Sequence, residues 1–299
     1  MTTHRSPAEW GLFLLLSLCW ACAFAMTKLA VGGLPASVII PGRLTVAALI
    51  LWGVMLARGE RLPPFSDRAA WLSIVGLGTI GTAAPFYLIT LGQKTIDSSL
   101  AALLISAAPL FTAVLAHIRF HDEQITAYKA AGLIVGFAGV AVLLGPDALT
   151  GLDLELGAQL LVLMGAFCYA INSIIARQAP RLPAIVMPVG FLTVASIASL
   201  PMLVWTDWSE VQPTAVNLAA VLGLGAISTA AAGIILMYLV ARTSATFIAL
   251  TGYVIPIMSA VIGYFAFRET QSWNALVAFV LILAGVWFSQ RQARKRAPA

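Results

Sequence analysis

Gly76–Ala84 reads GLGTIGTAA, and Gly223–Ala231 reads GLGAISTAA 147 residues later, with seven of nine positions identical. The echo extends outward from that stretch. Gly42–Ala47 (GRLTVA) returns as Gly190–Ala195 (GFLTVA), Pro109 as Pro256, and Gly139-Val140 as Gly285-Val286. Trp20 and Lys28 have an aromatic and a cationic counterpart in Tyr169 and Arg177. The offset drifts by only three residues along the chain, so a half of about 150 residues is written twice. The spacing divides the chain into 1–150 and 151–299.

Composition sets the surroundings of that repeat. Of the residues, 61% are hydrophobic and 10% charged, with a mean hydropathy of +0.96. These are the proportions of a polytopic membrane protein rather than of two soluble domains. The first apolar run begins at Trp10 and is long enough to span, so no cleaved signal peptide is expected. Cys19, Cys22 and Cys168 all lie in apolar runs. Cys19 and Cys22 are three apart on one helix, but no further Cys or His accompanies them, so they read as apolar fillers and no metal or cofactor is expected. The net charge of +5 comes from basic residues at helix ends, not from a patch, which excludes a nucleic-acid partner.

A bilayer core about 30 Å thick takes about 20 apolar residues per helix. Ten such runs are predicted, at 10–31, 36–57, 69–92, 97–118, 125–145, 155–177, 182–205, 214–240, 244–267 and 272–290. With the N-terminus cytoplasmic, Arg5, Arg58, Arg61, Arg68, Arg119, Lys129, Arg177, Arg181, Arg242, Arg291, Arg294, Lys295 and Arg296 all face the cytoplasm. That leaves Lys28, Arg43, Lys94 and Arg268 on or toward the far side. The loops at 146–155 and 206–213 carry Asp147, Asp153, Glu155, Asp207 and Glu210 and no basic residue. Both termini are thus expected inside, which requires an even number of helices.

Five helices per half is an odd number, so the second copy must enter the membrane upside down. The expected fold class is an all-α polytopic membrane protein of ten transmembrane helices in two inverted five-helix repeats. Inverted repeats suit alternating access to a site near midplane, where the halves meet. Pro85, Pro109, Pro188, Pro201 and Pro256 fall within spans, where each removes a backbone donor and kinks its helix. The matched pair Pro109 and Pro256 are candidate hinges, or kinks that only shape the bundle. Gly132, Gly136 and Gly139 on the fifth helix have the spacing of close helix packing, within one chain or between two copies in a homodimer.

These residues carry a family resemblance. A Trp followed by a Lys late in helix one (Trp20, Lys28), then a mid-helix-four Pro followed by a Glu (Pro109, Glu123), with the second half repeating it as Pro256 and Glu269, resembles the drug/metabolite transporter superfamily. The resemblance is to its EamA-type branch of ten-helix inner-membrane exporters, and most to the YddG-type exporters of aromatic and other amino acids. It covers about residues 10–290. His121-Asp122-Glu123 departs from the Gly-Glu commoner at the end of helix four, so the loop geometry there does not carry over.

The chemistry available to a solute is neutral and aromatic. All twelve carboxylates lie in loops or at helix ends. The absence of a midplane Asp or Glu argues against an internal proton relay and for facilitated diffusion or exchange. His117 reads as a headgroup-level histidine. Trp20 and Phe24 share a face of helix one, and Tyr169 and Asn172 a face of helix six, which repeat symmetry sets opposite each other. Tyr87 and Tyr253 complete a candidate wall, with Thr82, Ser106 and Thr229 as polar contacts. Such a wall suits small amphipathic metabolites, amino acids among them. Lys28 and Arg43 either snorkel to the outer interface or recognise a substrate carboxylate. A channel or scaffold is the rival reading; an enzyme would need a convergent catalytic set that the spans do not contain.

Overall fold

Apolar segments in a bilayer must satisfy their peptide groups internally, and helices do this. The computed structural model describes residues 6–145 and 153–291. Its helices are α1 (Pro7–Val31), α2 (Ala36–Ala57), α3 (Arg68–Gly92), α4 (Ser98–Arg119), α5 (Ala127–Leu144), α6 (Leu154–Gln178), α7 (Val186–Leu203), α8 (Ala215–Arg242), α9 (Phe247–Phe267) and α10 (Trp273–Arg291). The described residues contain no strand. Nine of these helices are long and apolar enough to cross a membrane, and α10 adds a shorter apolar stretch, Trp273–Ser289. Side-chain caps fix the starts: Ser6 with Glu9 and Thr214 with Asn217 form capping boxes, while Asp67, Thr126 and Asp153 each accept from a backbone N–H of the first turn. Helix seven begins four residues later than its apolar run, because Pro180 and Pro183 hold the chain before it out of helical conformation. Arg5, Asp147, Arg294, Lys295 and Arg296, used in the charge reading, lie outside the described residues.

The repeated nonapeptide encodes a repeated irregularity. Thr79–Ala83 in α3 and Ala226–Ala231 in α8 are both wide π-helical turns. In each, a threonine hydroxyl donates to the carbonyl five residues back: Thr82 to Leu77 and Thr229 to Leu224, both at 2.8 Å. The third residue of each GLG is a close crossing point. A Cβ on Gly78 would meet the Phe191 carbonyl of α7 at 2.6 Å, and one on Gly225 would meet the Arg43 carbonyl of α2 at 2.8 Å. Motif, wide turn and crossing therefore recur together in the two halves.

The helices pack by exchange between halves. Helix α1 lies against α8 and α9, and their repeat counterparts show the same pattern, α6 lying against α3 and α4. Helices α2 and α7 meet at the centre, where Trp52 donates to Thr193 at 2.8 Å and the Thr45 and Ser196 hydroxyls bond at 2.7 Å. Helices α5 and α10 pack on each other: a Cβ on Gly132 would meet the Gly285 carbonyl at 2.7 Å, and one on Gly139 the Ile282 nitrogen at 2.9 Å. The small-residue stripe of α5 thus serves packing within the chain.

Ion pairs fix the relative direction of the halves. The first turn of α4 lies beside Lys28 at the end of α1, whereas Asp122 and Glu123, just past α4, bind Arg177 near the end of α6. The 22 residues of α4 separate these points by about 33 Å. Helices α1 and α6 therefore end at opposite sides of the bundle, and the two five-helix repeats are inverted.

The prolines differ in effect. Helix α4 breaks at Ser106-Ala107, just before Pro109. Helix α9 breaks at Leu250, while Pro256 sits inside its main segment. Pro41, which the sequence reading passed over, lies buried within α2, 147 residues before Pro188.

Candidate functional site

Each half contributes one cation and one glutamate to an ion pair with the other half. At the first end, Lys28 binds both Asp97 and Glu269 at 2.6 Å. The Glu269 side chain is 2% exposed and also accepts from the backbone N–H and hydroxyl of both Ser98 and Ser99, at 2.6–3.1 Å. The exposed N–H groups of the first turn of α4 provide this anion seat. Gln271 donates to the Ser99 hydroxyl at 2.6 Å and extends the cluster. Two local features aim the carboxylate. Arg268 takes a left-handed conformation (φ 60°) that ends α9 and turns the chain back, and Gly263 leaves the space that a Cβ would take from the Glu269 carboxylate. Burial pushes the Glu269 carboxyl up, but bonds from Lys28, Ser99 and Ser98 outweigh it and hold it at about 2.

The second end is the repeat counterpart built loosely. Arg177 binds Glu123 at 2.9 Å and Asp122 at 2.6 Å, and Lys129 binds Glu123 at 3.1 Å. The Arg177 guanidinium stacks 4.2 Å from the Phe120 ring. Hydrogen bonding from Lys129 lowers the Glu123 carboxyl; partial burial opposes this, and Arg177 adds to the lowering. Here the side chains are open: Arg177 is 42% and Asp122 70% exposed. The residue equivalent to Gly263 is Ala116, and His121-Asp122-Glu123 is one residue longer than Arg268-Glu269.

Between the ends, the candidate wall residues divide among three packing groups. Phe24, Tyr169 and Tyr253 pack on one buried cluster, which includes Ile89, Leu104 and Val162. Trp20 packs on a second, with Phe13, Cys19 and Phe247. Tyr87 packs on a third, beside Phe86. Asn172 on α6 lies against Gly81 in the wide turn of α3, where a Cβ would strike its amide oxygen. Ser106, at the break in α4, donates to the Leu103 carbonyl at 2.5 Å, so its hydroxyl proton, like those of Thr82 and Thr229, goes to its own helix. Pro256 borders an apolar crevice of about 210 Å³ between α4, α9 and α10, lined by Leu103, Phe279 and Gln271 and by none of the wall residues.

The two inner cations, read as snorkelling side chains or as carboxylate contacts, differ in their surroundings. Lys28 is committed to Asp97 and Glu269. Arg43 is 7% exposed, its Nε donating to Thr229 Oγ1 at 3.0 Å and its guanidinium stacked 3.7 Å from the Phe86 ring. Lys28 reaches toward the bundle end, where its carboxylates lie, whereas Arg43 stays inside with Thr229 and Phe86. No group of three or more Cys, His, Asp or Glu suited to a metal occurs among the described residues.

Ten helices in inverted halves, joined at both ends by ion pairs around a mixed aromatic and polar interior, define a multi-pass membrane protein of the small-molecule transporter class. The sequence pattern of the EamA-like transporter family matches twice, over residues 9–145 and 156–290, and the chain belongs to that family, in the drug/metabolite transporter superfamily. It is a family of transporters, not of enzymes. The chain is 28% identical over 97% of its length to a probable terminal-alkyne amino-acid exporter of Streptantibioticus cattleyicolor, covering 96% of that protein. It is 23% identical over 91% of its length to the uncharacterized inner membrane transporter YedA of Escherichia coli (strain K12), covering 89% of it. A solved crystal structure superposes with a TM-score of 0.67 at 20% identity, covering 98% of this chain and all of the other, which is a likeness of fold.

Proposed function

We propose that the chain is an inner-membrane exporter of small amphipathic metabolites, aromatic and other amino acids above all, working by alternating access between its inverted repeats. The unequal pair of symmetry-related ion clusters carries this reading. Both link one half to the other, Lys28 to Glu269 and Arg177 to Glu123. The glutamate is buried at the first and part-exposed at the second, as expected of a molecule closed at one end at a time. Rocking the halves about Pro109 and Pro256 would tighten Glu123 as it freed Glu269. The basic-residue count supports an outward Lys28 end and cytoplasmic termini. The amino-acid exporter among the relatives and the aromatic interior support the substrate class.

No carboxylate lies in the middle of a described span, so transport should need no protonation there. Purified protein in liposomes preloaded with unlabelled amino acid should take up labelled L-phenylalanine by exchange without an imposed proton gradient. Uptake strictly dependent on that gradient would overturn the exchange reading, and no movement of any amino acid in a broad panel would overturn the substrate class.

A further inference from the structure

Arg43 is a buried cation with no counter-ion among the described residues. Its side chain pairs with no carboxylate among the described residues, whose ion pairs all belong to the two end clusters. Leaving a charge so buried is costly unless something neutralises it. Its hydrogen bonding is also incomplete. Nε is used by Thr229, whereas the two terminal nitrogens have no acceptor among the described residues. They are also not among the fully enclosed atoms that lack a partner, so they keep some accessible surface.

The neighbours hold the guanidinium in place without satisfying it. Thr229 spends its proton on Leu224, so its oxygen can only accept, which fixes the Nε edge. The Phe86 ring supports one flat face. The free edge is a planar fork of donors, the geometry that binds a carboxylate through two parallel bonds.

Repeat symmetry shows that the fold does not require this cation. GRLTVA in α2 answers GFLTVA in α7, and the residue equivalent to Arg43 is Phe191. The two backbones do the same work, each carbonyl receiving the close approach of the opposite GLG glycine, Gly225 or Gly78. Only the side chain differs, so a packing role is met by an aromatic and the arginine answers another need.

We infer that Arg43, positioned by Thr229 and Phe86, is the binding residue for the carboxylate of the transported solute, which makes the substrates small organic anions or zwitterions with an apolar side group. The inference rests on the transport reading for its biological meaning, and a binding measurement separates the two. Thermal stabilisation of the purified full-length protein would be titrated with phenylacetate, L-phenylalanine, the neutral analogue phenylacetamide, and chloride. The wild type should be stabilised by the two carboxylates at about ten- to a hundredfold lower concentration than by phenylacetamide. Arg43→Gln should bring that ratio close to one. Thr229→Val, which keeps the charge but frees its orientation, should fall between. Equal stabilisation of the wild type by carboxylate and amide, a ratio unchanged in Arg43→Gln, or stabilisation by chloride alone would each overturn the inference. Carboxylate binding that depends on Arg43, in a protein that moves no amino acid, would leave the inference standing and sink the transport reading.

Discussion

Glu269→Ala will unseal the Lys28 end. A cysteine at Phe24, one turn deeper in α1 than Lys28, should then react with a membrane-impermeant maleimide added outside cells, after Cys19, Cys22 and Cys168 are replaced. The same cysteine should stay protected when Glu269 is intact. Removing one partner of a buried pair costs about 3–5 kcal/mol, because the groups left behind keep their desolvation penalty. A loss of that size shifts the closed-to-open ratio by about a hundredfold or more. Glu269→Gln keeps the shape and several acceptors, so its effect should be smaller. The pH dependence has a definite sign. With the folded carboxyl at about 2, against an ordinary value of 4.5, the seal is fully present above about 4.5 and is lost as pH falls toward 2. Protection at Phe24 should therefore be constant from pH 5 to 8. Protection that disappears in that window, or labelling unchanged by Glu269→Ala, would show that this cluster is not the seal.

Gly285→Leu should be the most damaging single change to folding. A Cβ there would enter the backbone of α5 at Gly132 and Gly136, where neither helix can yield without separating. Overpacking against side chains costs about 1–3 kcal/mol, and a backbone obstacle belongs at or beyond the upper end. Purified yield and melting temperature should both collapse. Gly11→Ala is the matched control. Its Cβ would meet nothing within 4 Å, and alanine favours the helix, so stability should hold or rise slightly. A Gly285→Leu protein that melts like the parent would refute the close α5–α10 contact.

What the sequence disclosed follows from how each feature is encoded. The helices and the repeat are written in local composition and in near-identical motifs, so their positions were legible to within a few residues. The wide turns were not, although GLG and TAA mark them, because a helix of ordinary geometry was assumed through the motif. Thr82 and Thr229 read as solute contacts, and their hydroxyl protons also close the turns that contain them, a role the spacing does not announce. The end clusters were visible only in pieces. Lys28 and Arg177 were recognised as counterparts, as were Glu123 and Glu269, but Lys28 and Glu269 lie 241 residues apart and nothing local announces their pairing. Helix position leaves Arg43 as either a snorkelling side chain or a contact for a substrate carboxylate, and the broken identity between GRLTVA and GFLTVA is the further clue in the sequence.

Reciprocal closure of the two ends is the central claim, and distances between spin labels measure it directly. One pair, at Lys94 and Arg268, would report the Lys28 end; another, at His121 and Arg181, the Arg177 end. All four residues are exposed, and each pair joins the two halves. In liposomes, with and without amino acid, each pair should show a short and a long population. Glu269→Ala should enrich the long population at the first end and the short one at the second, while Glu123→Ala should leave the first end closed. Distances that lengthen or shorten together at both ends, or that stay fixed in every variant, would contradict the account.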